Sequence, residues 1–311
     1  MCCLFGLIDY KHTLTGPQKS KILSVLSEEC EARGTDASGV AYNDSKKLRI
    51  YKKAVPAHKL KLDIPDEAVV VMGHTRMTTQ GNEKFNFNNH PFAGRTKDTA
   101  FALAHNGVLY NDHSLRREHD LPRTKIQTDS YVAVQLIEKE GTVGFASLQK
   151  MAELVNGSFA FTVLDEQDNL YFVKGDNPLC IYHYRNAGLM IYASTQEILN
   201  RALFRLNLPL EQPEHLKISC GDIWKVDPAG RITKSTFDTG SLFHSWYLSS
   251  YQPYKLANIS APPRRYHDRQ YIKDLKSLAG YFGYSSADID HLLAEGFTPE
   301  ELEEYFYTGG Y

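Results

Sequence analysis

Met1-Cys2-Cys3-Leu4-Phe5-Gly6-Leu7-Ile8 is the stretch on which the reading of this chain turns. Residues 4–8 form a short apolar run that reads as a buried strand. A cysteine directly follows the initiator methionine. If Met1 is removed, Cys2 carries a thiol and a free α-amine on one residue. A thiol is intrinsically nucleophilic but little ionised at neutral pH. An α-amine has a pKa of about 7.7–8.0 against about 10.4 for lysine, so near pH 7.5 roughly a third of α-amines are neutral. A processed Cys2 would therefore hold its own general base.

Working outward, 311 residues are enough for one large domain and a small one. Charged residues make up 23% and the formal net charge is −2, which gives no electrostatic case for nucleic acid or an anionic membrane. No apolar run is long enough for a membrane span, and Asp9, Lys11 and His12 break up any signal-peptide core. The cysteines stand at 2, 3, 30, 180 and 220. Their odd number and irregular spacing, with no C-x-x-C pair, argue against a disulfide framework and a structural zinc site. A reducing, cytoplasmic setting is expected.

Residues 17–32 have helical spacing, and residues 40–42 and 48–51 flank a hairpin signal at Asn43-Asp44-Ser45. Strands are expected at 68–74 and at 101–105, the latter ending in Asn106-Gly107. Helices follow at 130–139 and 144–154, then strands at 158–164, 170–174, 179–183, 188–193 and 221–226. This order predicts a layered α+β domain over residues 2–238. Residues 239–311 are expected to form a linker containing Tyr and Pro, then a small helical segment. Its signals are the stripe Tyr271, Ile272, Leu275, Leu278, Ala279 and Phe282, a second stripe Ile289, Leu292 and Leu293, and a helix start at Thr298-Pro299-Glu300-Glu301.

Three further segments carry chemistry: Gly73-His74-Thr75-Arg76-Met77-Thr78-Thr79-Gln80-Gly81, His105-Asn106-Gly107 and Gln127-Thr128-Asp129-Ser130. Each has an ordinary reading, as a surface charge, a turn or a helix N-cap. Together with Cys2 they provide what hydrolysis of the glutamine side-chain amide requires. Arg76 can fork onto an α-carboxylate, and Asp129 can accept from an α-ammonium. The Asn106 amide and the Gly107 N–H can form an oxyanion hole, where glycine allows close backbone approach.

These motifs, in this order, resemble the class II glutamine amidotransferases, a family of N-terminal-nucleophile hydrolases, over roughly residues 2–235. Arg33-Gly34-Thr35-Asp36-Ala37-Ser38-Gly39 is similar to the family's R-G-x-D-S-x-G loop, with Ala37 and Ser38 in altered order. Gly73 to Gly81 resembles G-H-x-R-x-x-T-x-G, and His105-Asn106-Gly107 with Asn111 resembles H-N-G-x-x-x-N. Asn89-His90-Pro91-Phe92, Thr128-Asp129-Ser130 and Cys220-Gly221-Asp222-Ile223 also have family parallels. The resemblance implies a four-layer αββα sandwich with a small C-terminal helical appendix. It implies Cys2 as nucleophile, Asn106 and Gly107 as oxyanion hole, and Arg76, Thr79, Gln80 and Asp129 as glutamine ligands. The reaction implied needs no cofactor and no metal. It runs through a γ-glutamyl thioester and releases glutamate and ammonia.

The sequence departs from the pattern at Cys3, where glycine is common, at Met77, where an aromatic is common, and at Gln80, where many members have histidine. Cys3, lacking a free amine, is a poor rival nucleophile. His74 and His105 read as structural, as do Asn156 to Phe159 and Asp176 to Leu179. No ammonia-accepting domain is legible after residue 240. A stand-alone subunit serving a separate synthase is therefore expected. The alternatives are hydrolysis of another γ-glutamyl amide, or a largely non-catalytic binding or regulatory module.

Overall fold

A computed structural model describes residues 2–240 and 242, together with 272, 273, 275, 276, 279, 284–294 and 302. The chain divides into two compact units, 1–252 and 253–311. The first contains two antiparallel sheets. One sheet is built from β1 (Cys3–Asp9), β2 (Ala37–Asp44), β3 (Lys47–Lys53), β4 (Val70–Arg76), β9 (Cys180–Tyr184), β10 (Leu189–Ala193) and β11 (Glu214–Leu216), in the order β11-β9-β10-β1-β4-β2-β3. The other holds β5 (Phe92–Arg95), β6 (Ala100–Leu109), β7 (Gly157–Asp165), β8 (Leu170–Lys174), β12 (Asp222–Val226) and β13 (Ile232–Thr236), ordered β13-β12-β8-β7-β6-β5.

Helices α1 (Gly16–Glu29) and α5 (Gln196–Leu206) cover the outer face of the first sheet. Helices α3 (Tyr131–Glu140) and α4 (Phe145–Leu154) cover that of the second. A short α2 (Asp112–Glu118) follows β6. The result is the αββα sandwich, with three apolar layers between its four tiers. α1 starts where Gln18 accepts the Thr15 N–H at 2.8 Å, and Pro17 sits in its first turn. Its apolar side, Ile22, Leu23 and Leu26, meets Ile198, Leu199 and Ala202 of α5 over β1.

Strand alternation sorts the side chains. Along β1, Cys3, Phe5 and Leu7 join the helix-side core, while Leu4 and Ile8 join the layer between the sheets. On β4, Val70 and Met72 face between the sheets and Val71 faces the helices. On β6, Ala102 and Ala104 face between the sheets, and Phe101 and Leu103 face α3 and α4. The same parity assigns Cys2, His74, Arg76 and Asn106 to the space between the sheets, and Cys3 and His105 to the helix sides.

Two expectations are corrected. The strand expected at 101–105 does not end at Asn106-Gly107: β6 continues to Leu109, paired with β7 throughout. Gly107 permits this with φ +145°, a backbone geometry that side chains disfavour. The hairpin turn is Ser45-Lys46, both at positive φ, and not Asn43-Asp44-Ser45. Asn43 stays in β2 because its buried amide is held by the Asp165 carbonyl (2.8 Å) and Asp168 (2.9 Å). Helix α5 was not expected, although Thr195 caps it by accepting the Ile198 N–H at 3.3 Å.

The second unit contains α6 (Ser286–Ala294), whose Ile289 is buried with Leu275, Ala279 and Leu302 and flanked by Leu292 and Leu293. Tyr271, Leu278, Phe282 and the start at 298–301 lie outside the described residues, as does most of the expected linker. Among the described residues no helix is long and apolar enough to cross a membrane.

Gly73 faces Phe5 across the β1–β4 ladder, and a Cβ there would lie 2.3 Å from the Phe5 ring. Gly73→Ala is expected to destabilise the protein by about 1–3 kcal/mol in urea unfolding; an unchanged midpoint would contradict tight packing of Phe5 on Gly73.

Candidate active site

Cys2 stands at the head of β1, 8% exposed, with its Sγ 3.5 Å from the Met77 carbonyl. Burial pushes its thiol up, outweighing the Met77 contact and the nearby Arg76 guanidinium. Cys3 points the other way: its Sγ lies 2.9 Å from that of Cys30, deep in the helix-side core.

Arg33 binds the site together. Its Nε donates to the Cys2 carbonyl at 2.9 Å and its guanidinium reaches the Asn106 Oδ1 at 3.5 Å. The Asn106 amide is thus oriented by its oxygen, while its Nδ2 is buried without a partner among the described residues. A buried donor left unmade costs about 1–3 kcal/mol, so it marks a place that wants an acceptor.

Arg76 ends β4, 2% exposed. It donates to Asn89 Oδ1 and to the Gln80 carbonyl, both at 2.6 Å, and reaches Thr128 Oγ1 at 3.4 Å. These acceptors are uncharged. Burial lowers its pKa, opposed by Cys2 and Asp129. Asp129, 1% exposed, opens α3 and accepts the Leu109 N–H at 2.7 Å. The loop from Arg33 to Asp36 buttresses the end of β4. Asp36 accepts the Thr78 N–H at 2.7 Å, and a Cβ on Gly34 would lie 2.5 Å from the Arg76 backbone.

The structure therefore gathers Cys2, Arg76, Asn106, Gly107 and Asp129. It does not gather the other two expected ligands in the same way. Thr79 is exposed in the loop after β4. Gln80 meets Arg76 through its carbonyl, while its side chain turns to Asp112 at 3.4 Å.

Residues 74–201 match the family model of the glutamine amidotransferase domain. Over these residues the chain is similar to glutamine amidotransferase domains. It is 32% identical over 191 residues to the glutamine–fructose-6-phosphate aminotransferase (isomerizing) of Halalkalibacterium halodurans, covering 58% of this chain and 30% of that protein. The enzyme of the same name from Geobacillus kaustophilus is 31% identical over 190 residues, with the same shares. The chain thus spans 30% of the length of these curated relatives. The solved glutamine phosphoribosylpyrophosphate amidotransferase of B. subtilis shares the fold, with a TM-score of 0.58 at 20% identity over 77% of this chain and 50% of that one.

Sequence reasoning missed Arg33, Asn89 and Thr128 as site residues. All three lie inside motifs named above, but no role followed from spacing, because each holds another site residue: Arg33 reaches Asn106, and Asn89 and Thr128 receive Arg76. The histidines behave as expected. His74 Nε2 is 2.9 Å from the His105 carbonyl, and His105 Nδ1 is 2.7 Å from Ser130 Oγ. The His90 ring packs against that of His74, tilted by 33° with ring centroids 4.1 Å apart. Burial lowers the pKa of all three, that of His74 to about 3 and that of His90 well below the ordinary value.

Below about pH 6.5 the unfolded chain binds protons at these histidines that the folded chain refuses, so stability should fall with acid by up to about 1.4 kcal/mol per histidine per pH unit. The urea midpoint is expected to drop between about pH 7 and pH 5; a level midpoint would mean the cluster accepts protons while folded.

Proposed function

We propose that this domain hydrolyses the side-chain amide of glutamine, with Cys2 as nucleophile once Met1 is removed. The observation that carries the reading is the buried, unpartnered Asn106 Nδ2, tied through Arg33 to the residue that bears the thiol. An oxygen that becomes negative in a tetrahedral intermediate is the acceptor this donor lacks.

Burial keeps the Cys2 thiol protonated, so it needs a base, and its own α-amine has a suitable pKa. The amine takes the thiol proton as sulfur attacks the amide carbon. Asn106 Nδ2 and Gly107 N–H stabilise the oxyanion. The amine then returns a proton to the departing ammonia, leaving a γ-glutamyl thioester. Water, deprotonated by the same amine, hydrolyses the thioester to glutamate and restores the thiol.

Arg76, whose hydrogen bonds all go to uncharged oxygens, seats the α-carboxylate, and Asp129 attracts the α-ammonium. Thr79 and Gln80 border that seat. The catalytic domain of this reading is residues 2–238, working in the reducing cytoplasm, where a free thiol persists. Ammonia passes to a separate synthase subunit.

Intact mass spectrometry is expected to show a chain lacking Met1, and a glutamine-analogue electrophile should label Cys2 and not Cys3. Retention of Met1 would block the base and defeat the mechanism. Asn106→Ala should cost about 10²–10³ in kcat, and Arg76→Ala should act mainly on KM for glutamine. Glutamate production should rise between about pH 6 and pH 8 as the α-amine loses its proton; a flat profile would point to a different base.

A further inference from the structure

We infer that Asn177 is a positioning residue for the oxyanion site, aiming the Gly107 N–H at the carbonyl of the bound amide. The inference rests on the amide-hydrolysis reading above and adds a residue to it. A trans peptide is planar, with its C=O and N–H pointing in opposite directions. Whatever holds the Asn106 carbonyl therefore also sets the direction of the Gly107 N–H, which belongs to the same peptide.

Asn177 Nδ2 donates to that carbonyl at 2.9 Å and to Ser158 Oγ at 3.3 Å. The peptide needs such a holder. Asn106 and Gly107 stay in register with Ala160 and Phe159, but Gly107 has φ +145°, so this peptide departs from ordinary strand geometry and depends on a side-chain brace as well as on the ladder. The space is also filled: a Cβ on Gly107 would lie 2.7 Å from Asn177 Nδ2 and 1.9 Å from the Ser158 carbonyl. A hydrogen bond at the carbonyl end further polarises the peptide and strengthens its N–H as a donor.

Asn177 is itself fixed. Its N–H donates to the Phe159 carbonyl at 3.4 Å, and the neighbouring Asp176 accepts the Phe159 N–H at 2.9 Å. Pro178 follows and restricts the Asn177 backbone to extended conformations. Residues 175–179 connect β8 of one sheet to β9 of the other, so the amide is carried on the link between the two sheets. Asn177 touches neither substrate nor thiol in this scheme; it acts through Asn106 and Gly107.

The test is steady-state glutamine hydrolysis by the full chain, comparing wild type with Asn177→Ala and Asn177→Asp. The Asp variant keeps the shape and places an oxygen opposite the Asn106 carbonyl, so it reports on the hydrogen bond even if the Ala variant folds poorly. Both should lose about tenfold in kcat, less than the ~10²–10³ of deleting a donor outright, with KM nearly unchanged. Glutamate γ-semialdehyde provides the second readout. Cys2 sulfur adds to its aldehyde carbon and the thiol proton ends on the aldehyde oxygen, forming a thiohemiacetal with that oxygen in the hole. Its affinity should fall by the same factor as kcat/KM, while inhibition by glutamate stays constant. Unchanged kcat in both variants, or equal weakening of semialdehyde and glutamate, would overturn the role of Asn177 and leave the amide-hydrolysis reading standing. A wild-type protein that neither forms glutamate nor is labelled at Cys2 would overturn both.

Discussion

Burial of β1 on both faces is the constraint from which the site follows. The strand lies between β10 and β4, with α1 and α5 on one side and the second sheet on the other. A slip of one residue would drive Phe5 and Leu7 into the layer between the sheets and put Leu4, Gly6 and Ile8 against the helices, misfitting both layers, so its register is firmly set. Because Cys2 continues the parity of Leu4, the packing that fixes the core also fixes which of two adjacent thiols faces the site. Cys3 is committed to the helix layer by the same rule. The choice between them owes nothing to intrinsic reactivity.

The site is buried and sparing in charge. Three buried histidines stay neutral and serve as hydrogen-bonding and packing elements. Arg76 keeps its charge amid uncharged oxygens, with Asp129 acting on it from further off. A buried cation held this way is costly unless an anion joins it. The arrangement suits a ligand that brings its own carboxylate.

Much of the architecture was legible because the two-residue and 3.6-residue patterns are strong in a core buried from both sides. The runs at 4–8, 170–174 and 188–193 are examples. Cys2, Arg76, Asn106 and Asp129 were legible because each is a residue type with a distinct chemical use. Three features were not. The continuation of β6 through Asn-Gly was hidden because that dipeptide usually marks a turn, and only the pairing with β7 overrides it. Arg33 and Asn177 were hidden because their work is to hold other site residues. Such roles depend on contacts between distant parts of the chain, and no local pattern encodes them.

Cys2 precedes in sequence every residue it works with. Its strand pairs with β4 and with β10, where Phe5 meets Ala193, and the Leu4 N–H donates to Ser194 at 2.8 Å. Cys2 is therefore the earliest part of the candidate site to be synthesised, and its strand gains its last partner only once β10 has been made. Contacts of such long sequence separation form slowly. Until β10 arrives, β1 lacks a neighbour and the thiol lacks its setting. Reactivity is in this way coupled to completion of the fold.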